Sequence, residues 1–137
     1  MTAENNLYEG LLILGKMLGM SRSVAIIFAL LHSCESRWTV DELVEASALS
    51  KSAVSLALRD LMQMGAAQEA IALGERSRYY TGHPDLVESV TEIFMAKIGY
   101  SLSEFRIKIE TASGPQNRLD QAQALLERME EALRLRG

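Results

Sequence analysis

Residues 49–65 read LSKSAVSLALRDLMQMG, and this stretch decides the fold. Ser50 can begin a helix, because its hydroxyl can accept a hydrogen bond from a free backbone N–H of the first turn. Gly65 can end that helix, because glycine adopts the left-handed conformation without steric cost. The apolar residues between them recur at helical spacing: Val54, Leu58 and Leu61. The stretch therefore predicts a helix that packs on a core by one side only.

The other side of this predicted helix is polar: Ser50, Lys51, Ser52, Ser55 and Arg59. Its hydroxyl groups lie near the helix N-terminus, where backbone N–H groups attract phosphate, and hydroxyl side chains can also contact base edges. Its two cations can contact a DNA backbone or guanine. A polar helix face alone is usually a solvated surface, so the neighbouring elements must decide between the two interpretations.

The residues upstream predict a shorter helix across a tight turn. Thr39 and Glu42 have the spacing of a capping box, which would start a helix that runs to about Ala48. Before it, Ser21 can cap a helix whose run 24–31 is apolar throughout. We expect that apolar helix to form the centre of the core.

Two β-compatible runs follow at residues 66–73 and 76–81, with Gly74 and Glu75 as the turn between them. Because side chains alternate along a strand, Arg76 and Arg78 are expected to leave the same face and make it cationic. Residues 37–40 form a short β-prone stretch before the shorter helix. Helix, short strand, short helix, turn, helix and hairpin in this order form the pattern of a winged helix-turn-helix. The hairpin would be the wing.

Amphipathic helices are predicted at both ends of the chain. Pro84 suits a first helical position, and an apolar stripe then runs to Ile109, with Gly99 as a candidate bend. Residues 112–115 break the chain before a last helix with heptad-like spacing. The residues expected to pack against a second copy are Leu7, Leu11, Leu14, Leu119, Leu126, Met129 and Leu133.

The predicted fold class is mainly α with a small β wing, a winged helix-turn-helix with N- and C-terminal dimerisation helices. We expect an N-terminal dimerisation helix at residues 1–20, a winged helix-turn-helix domain at 21–82 and a C-terminal helical dimerisation region at 83–137. The length fits this arrangement, since 137 residues can bury one core.

The quoted motif extends further: LSKSAVSLALRDL at residues 49–61 is followed by Gly65 and by GERSRYY at residues 74–80. These residues resemble the signature of the GbsR branch of MarR-like winged-helix regulators, and the layout from about residue 7 to residue 86 is similar too. Ser52 and Ala53 stand where that branch commonly has glycine and asparagine. This departure affects the expected DNA sequence preference more than the fold.

The resemblance implies a homodimer held by its terminal helices, with two recognition helices in successive major grooves of a pseudo-palindromic operator. The residues expected to contact double-stranded DNA are Ser50, Lys51, Ser52, Ser55, Arg59, Arg76 and Arg78. The resemblance also implies a pocket for a small-molecule effector between the winged helix and the dimerisation helices. We expect a transcription regulator, and a repressor that blocks polymerase rather than an activator.

Composition and charge limit which other classes of protein the sequence can belong to. The net charge of −4 requires the cations to cluster if the chain binds DNA. The longest apolar run, 24–31, is far shorter than the roughly 20 residues of a membrane span, and the start lacks the basic segment of a signal peptide. Cys34 is the single cysteine, which excludes an internal disulfide and suits a reducing compartment. We expect a cytoplasmic protein without a cofactor and without membrane contact.

Enzyme chemistry is not expected. No HExxH, GxSxG or glycine-rich phosphate loop occurs, and His32 and Cys34 lie two residues apart on a predicted helix, so they do not face each other. Two alternatives stay open. One is a winged-helix protein-interaction or assembly module without direct DNA binding. The other is a small-molecule or redox sensor whose main event occurs at the helical interface, with DNA binding as its output. A redox or metal switch could use Cys34, His32 or His83.

Overall fold

The computed structural model describes residues 3–71, 74 and 76–136. Its elements are, in chain order, α1 (Ala3–Met17), α2 (Arg22–His32), α3 (Val40–Ser47), α4 (Lys51–Met64), β1 (Ala67–Ile71), β2 (Arg78–Gly82), α5 (Leu86–Glu110) and α6 (Gln116–Arg136). The two strands pair antiparallel, with Ala67 opposite Gly82. By contact, the chain forms two compact units, one up to Ile93 and one from Phe94 onward.

Helix α2 is the centre of the first unit, as its sequence predicts. Ala25, Ile27, Phe28 and Ala29 have no solvent exposure at all. Helices α1, α3 and α4 and strand β2 all pack against α2. Burial of apolar surface from several elements on one helix is what stabilises a domain of this size, at roughly 25 cal/mol per Å² of apolar area. The mainly helical chain with its two-stranded wing confirms the predicted fold class.

Local capping follows the predictions. Ser21 accepts a hydrogen bond from the backbone N–H of Val24 at the start of α2. At α3, Thr39 accepts from the N–H of Glu42 while the Glu42 carboxylate accepts from the N–H of Thr39, so both halves of the capping box are present. These bonds satisfy backbone donors that a helix start leaves free.

The start of α5 differs from the prediction. Pro84 precedes the helix, which begins at Leu86. The carboxylate of Asp85 accepts the backbone N–H of Glu88 at 3.0 Å and so provides the cap that the helix needs. Helix α5 also continues through Gly99 to Glu110 as one element.

The predicted division of the chain at residues 20/21 and 82/83 concerns function and stays a prediction. Helix α1 packs on α2 and belongs to the first unit together with the winged helix.

In the second unit, Arg106 of α5 forms an ion pair with Glu130 of α6. The hydrogen bond that the Arg106 guanidinium donates to the Glu130 carboxylate raises the pKa of Arg106 above its ordinary value. Within residues 3–71, 74 and 76–136, no helix combines the length and apolar character of a membrane span.

His32 joins the end of α2 to the segment that follows β2. Its Nδ1 lies 2.8 Å from the carbonyl oxygen of Phe28, and its Nε2 accepts the backbone N–H of His83 at 3.1 Å. A Cβ atom at Gly82 would lie 2.6 Å from the imidazole, so glycine is required for this close approach. Burial lowers the pKa of His32 below its ordinary value, and the hydrogen bond to Phe28 opposes that effect only in part.

We expect the free energy of unfolding to fall as pH is lowered from about 7.5 to about 5.5, through the ordinary histidine pKa of about 6.5. The unfolded chain then binds a proton at position 32 more readily than the folded chain does. The contribution of neutral His32 is therefore complete above its unfolded-state pKa and is lost as pH falls through its lower folded-state pKa.

Urea titrations at several pH values check this expectation. A His32→Gln variant cannot titrate at this position, so its stability should depend less on pH than that of the wild type. An equal pH dependence in the two proteins would show that His32 is not responsible.

Candidate nucleic-acid interface

Helices α3 and α4 are joined by a three-residue turn that starts in the left-handed conformation. Ala48 ends α3 with φ 60° and donates its N–H to the carbonyl of Val44. The hydroxyl of Ser47 accepts the N–H of Leu49, and the hydroxyl of Ser50 then accepts the N–H of Ala53 at 3.1 Å. The turn and the cap together set the angle at which α4 leaves α3. Sequence predicts both helices and the Ser50 cap, but not the left-handed conformation of Ala48.

Ala48→Gly is expected to stabilise the protein by up to about 1 kcal/mol. A left-handed residue with a Cβ costs roughly 1–2 kcal/mol, and glycine removes this cost. Glycine also raises the conformational entropy of the unfolded chain, which reduces the gain in stability. Ala48→Val should destabilise, since a β-branched residue tolerates this conformation even less. Urea midpoints of the three proteins provide the measurement. Equal stability of the alanine and glycine proteins would mean that the turn is not strained.

The core-facing side of α4 is fully buried, as predicted. Val54 and Leu61 are 0% exposed and Leu58 is 2% exposed. Gly65 ends the helix with φ 77°, and its N–H bonds to the carbonyls of the last turn. Helix α4 is therefore held in one rotational setting, and the side that faces outward is fixed.

The outward side of α4 carries the residues predicted for DNA contact. All five are exposed: Ser50, Lys51, Ser52, Ser55 and Arg59. The Ser50 and Ser52 hydroxyl oxygens lie 3.3 Å apart, beside the free N–H groups of the first helical turn. We call these three hydroxyls and two cations the α4 face; the exposed side chain of Leu56 lies next to them on the same helix. Such a face can donate hydrogen bonds and present positive charge to a groove of DNA.

The charge of the α4 face is partly balanced from α3. The ammonium nitrogen of Lys51 lies 3.6 Å from a carboxylate oxygen of Asp41, and these side chains are 73% and 85% exposed. Sequence reasoning missed this pair, because Asp41 and Lys51 belong to different helices. Among the described residues, Arg59 forms no ion pair.

The wing differs in detail from its prediction. Strand β2 begins at Arg78, so Arg76 lies before the strand and strand alternation does not place it beside Arg78. Among the described residues, the last pair of the ladder joins Ile71 to Arg78. Both arginines are exposed. The predicted turn residue Glu75, and residues 72 and 73 of the predicted first strand, lie outside the described residues.

The prediction that one face of the second strand is cationic is also wrong. The Nε atom of Arg78 lies 3.3 Å from a carboxylate oxygen of Glu69 on β1. Glu69 pairs with Tyr80 and Ile71 with Arg78 in the ladder, so Glu69 and Arg78 are diagonal neighbours on one face. That face of the hairpin carries an ion pair, not two free cations.

Arg37 is a cation at the wing that sequence reasoning missed. Its guanidinium carbon lies 4.3 Å from the centroid of the Tyr79 ring, which is a cation–π contact. Trp38 exchanges two backbone hydrogen bonds with Tyr80 and adds a single bridge to the edge of β2, and this brings Arg37 beside Tyr79. The sequence predicts a β-prone stretch at residues 37–40, but its partner lies far along the chain, so local spacing could not identify the pairing.

The predicted dimerisation residues lie in different environments. Leu11 is 5% exposed in the core of its own chain and can add little area to a contact with a second copy. Leu7 is exposed and Leu14 half-buried.

In the second unit Leu126 is buried, Leu119 and Leu133 are half-buried and Met129 is exposed. Five residues there line an apolar groove of about 330 Å³: Phe94, Ile98, Met129, Ala132 and Leu133. The role of these residues in dimerisation stays a prediction.

The predicted switch residues border a cleft of about 480 Å³ in the first unit. It is lined by His32, Cys34, Glu35 and His83, among others. Cys34 is exposed, and its Sγ lies 3.8 Å from the carbonyl oxygen of Leu30. Both ring nitrogens of His32 have hydrogen-bond partners. Across residues 3–71, 74 and 76–136, no group of three or more His, Cys, Asp or Glu side chains is arranged to hold a metal ion.

Comparison with known proteins identifies the fold. No family model matches the chain, and no curated protein sequence matches it. The chain is similar to a solved structure described as a transcriptional regulator, with 20% identity and a TM-score of 0.67 over 96% of this chain and 92% of that one. It is also similar to a point mutant of MepR from S. aureus bound to an oligodeoxyribonucleotide, with 14% identity and a TM-score of 0.50 over 94% and 91%. The chain has the winged-helix fold of these two proteins.

Proposed function

We propose that this protein is a sequence-specific, DNA-binding transcription regulator of the MarR-like winged-helix class. The observation that carries the proposal is the α4 face: its hydroxyls and cations all point outward while the opposite side of the helix is locked into the core. The MepR structure, which is bound to an oligodeoxyribonucleotide, gives the proposal independent support. The motif at residues 49–80 favours the GbsR branch of the class.

The α4 face provides both kinds of contact that specific binding needs. Ser52 and Ser55 are short enough to reach base edges in a major groove, while Lys51 and Arg59 contact backbone phosphate or guanine. Arg76 and Arg78 on the wing contact the neighbouring backbone or minor groove. Arg78 must exchange Glu69 for phosphate to do so. This exchange is inexpensive, because exposed ion pairs contribute only about 0–1 kcal/mol.

The protein would act as a homodimer. One α4 face offers too few base contacts to choose a genomic site, whereas two faces on a two-fold axis read a pseudo-palindrome. Exposed apolar side chains that a second copy could cover include Leu7, Ile13 and Met17 on α1. Repression follows when such a dimer blocks polymerase, and a bound small-molecule effector would relieve it. The single exposed thiol of Cys34 suits the reducing cytoplasm in which a regulator works.

Selection from a pool of genomic duplexes with the purified protein tests the proposal. The expected result is an enriched pseudo-palindrome whose half-sites are centred about one helical turn, roughly 34 Å, apart. Affinity for it should fall steeply as salt rises, since bound cations release counterions from the DNA. No enrichment, together with no salt-dependent binding, would favour the alternative of a winged-helix protein-interaction module, which the net charge of −4 would suit.

A further inference from the structure

The ion pair between Asp41 and Lys51 places a negative charge at the edge of the α4 face. The Lys51 ammonium and the Asp41 carboxylate lie 3.6 Å apart, and both side chains are more than 70% exposed. Asp41 is in the first turn of α3, directly between Thr39 and Glu42 of the capping box. The capping box fixes the backbone there, so Asp41 stays near Lys51 even when the ion pair opens.

A phosphate that approaches Lys51 must therefore displace a carboxylate and then lie beside it. The ion pair itself is weak because water and salt screen it. The repulsion between phosphate and carboxylate acts at a similar distance and opposes the attraction that Lys51 provides. Sequence-independent DNA binding depends almost entirely on such phosphate contacts. A carboxylate at this place lowers that binding for every DNA sequence.

We propose that Asp41 is a tuning residue that competes with DNA phosphate for Lys51 and keeps the general affinity of the α4 face low. The inference rests on the proposed function and adds a role for an acidic residue within it. The wing repeats the arrangement, since Glu69 holds Arg78 at 3.3 Å. Base contacts then decide where the protein stays bound, because phosphate contacts alone are too weak to retain it.

Asp41→Asn tests this role. The variant keeps the size of the side chain and one acceptor oxygen, replaces the other oxygen with an NH2 donor, and removes the charge. We expect affinity for the selected duplex and for an unrelated duplex to rise by a similar factor, about three- to tenfold at about 0.1 M salt, since a dimer carries the change twice. The slope of log affinity against log salt should steepen by up to about 0.9 for each Lys51 in the dimer. In the wild type, Asp41 takes up a cation from solution when Lys51 leaves it for a phosphate, which offsets one counterion released from the DNA. The variant lacks this offset.

Two controls separate this effect from a simple change in net charge. Asp60→Asn removes one negative charge from α4 at an exposed residue that forms no ion pair among the described residues, so it should raise affinity less than Asp41→Asn does. In a Lys51→Met background, Asp41→Asn should lose most of its effect, because the residue through which Asp41 acts is gone. Thermal denaturation checks that each variant remains folded.

The possible outcomes are distinct. Equal affinity of the wild type and Asp41→Asn for both duplexes would overturn the inference and leave the proposed function intact. A gain that is as large with Asp60→Asn, or that persists with Lys51→Met, would also overturn it, as would a gain on the selected duplex alone. If neither the wild type nor Asp41→Asn bound DNA at any salt concentration, the proposed function would fall and this inference with it.

Discussion

Lys51→Glu or Arg59→Glu is expected to weaken binding to the selected duplex by about 30-fold or more. Each side chain lies on the exposed α4 face. A specific cation contact to DNA is worth about 1–3 kcal/mol, and a dimer loses it twice, which at about 1.4 kcal/mol per tenfold gives a factor between about 30 and 10⁴. Lys51→Glu also sets two carboxylates side by side, since Asp41 already lies there. Fluorescence anisotropy with a labelled duplex measures the change.

The matched control is Lys108→Glu, which makes the same charge reversal at an exposed residue in the last turn of α5. It should weaken binding only through net charge, and therefore much less. Gel filtration and circular dichroism should show no difference among the three variants, because none of these side chains is buried. Wild-type affinity in both α4 variants would exclude this face as the DNA-binding surface.

Phe28→Ala is expected to lower the free energy of unfolding by about 3–5 kcal/mol, the usual cost of removing a buried aromatic ring. Phe28 is 0% exposed on α2, and its ring lies 4.6 Å from that of His32. The void would lie among the helices that position α4. Because whole domains are stable by only about 5–15 kcal/mol, the variant should be substantially unfolded at moderate urea concentrations where the wild type is native.

Urea titration followed by circular dichroism measures this loss. Val87→Ala is the matched control, since it also truncates an apolar side chain in the first unit but at a residue that is 77% exposed. It should change stability by no more than about 0.5 kcal/mol. A loss below about 1 kcal/mol for Phe28→Ala would contradict the central position of α2 in the core.

The parts of the fold that sequence predicts correctly are those set by neighbours in the chain. The capping box at Thr39 and Glu42, the cap at Ser50 and the end at Gly65 each depend on backbone groups within a few residues. The buried side of α4 follows from helical spacing alone. Since the α4 face is the remaining side of the same helix, its exposure was predictable too.

The errors arise where distant residues decide. Arg78 is paired with Glu69 across the hairpin, a contact between two strands that spacing within one strand does not reveal. Arg37 reaches the wing only through the bridge between Trp38 and Tyr80. Such contacts depend on tertiary geometry, which spacing along one segment does not contain. The left-handed conformation of Ala48 was missed for another reason: alanine gives no signal for it.

The central claim is that the α4 face lies against the bases of a DNA duplex. Site-specific photo-crosslinking tests it most directly, with Cys34→Ser as the background, because the native thiol is exposed and would also be labelled. A photoreactive group on Ser55→Cys should crosslink to bases of the selected duplex, whereas the same group on Asp60→Cys, on another side of α4, should crosslink weakly. Crosslinks that are absent from Ser55→Cys, or equally strong from both positions, would contradict the claim.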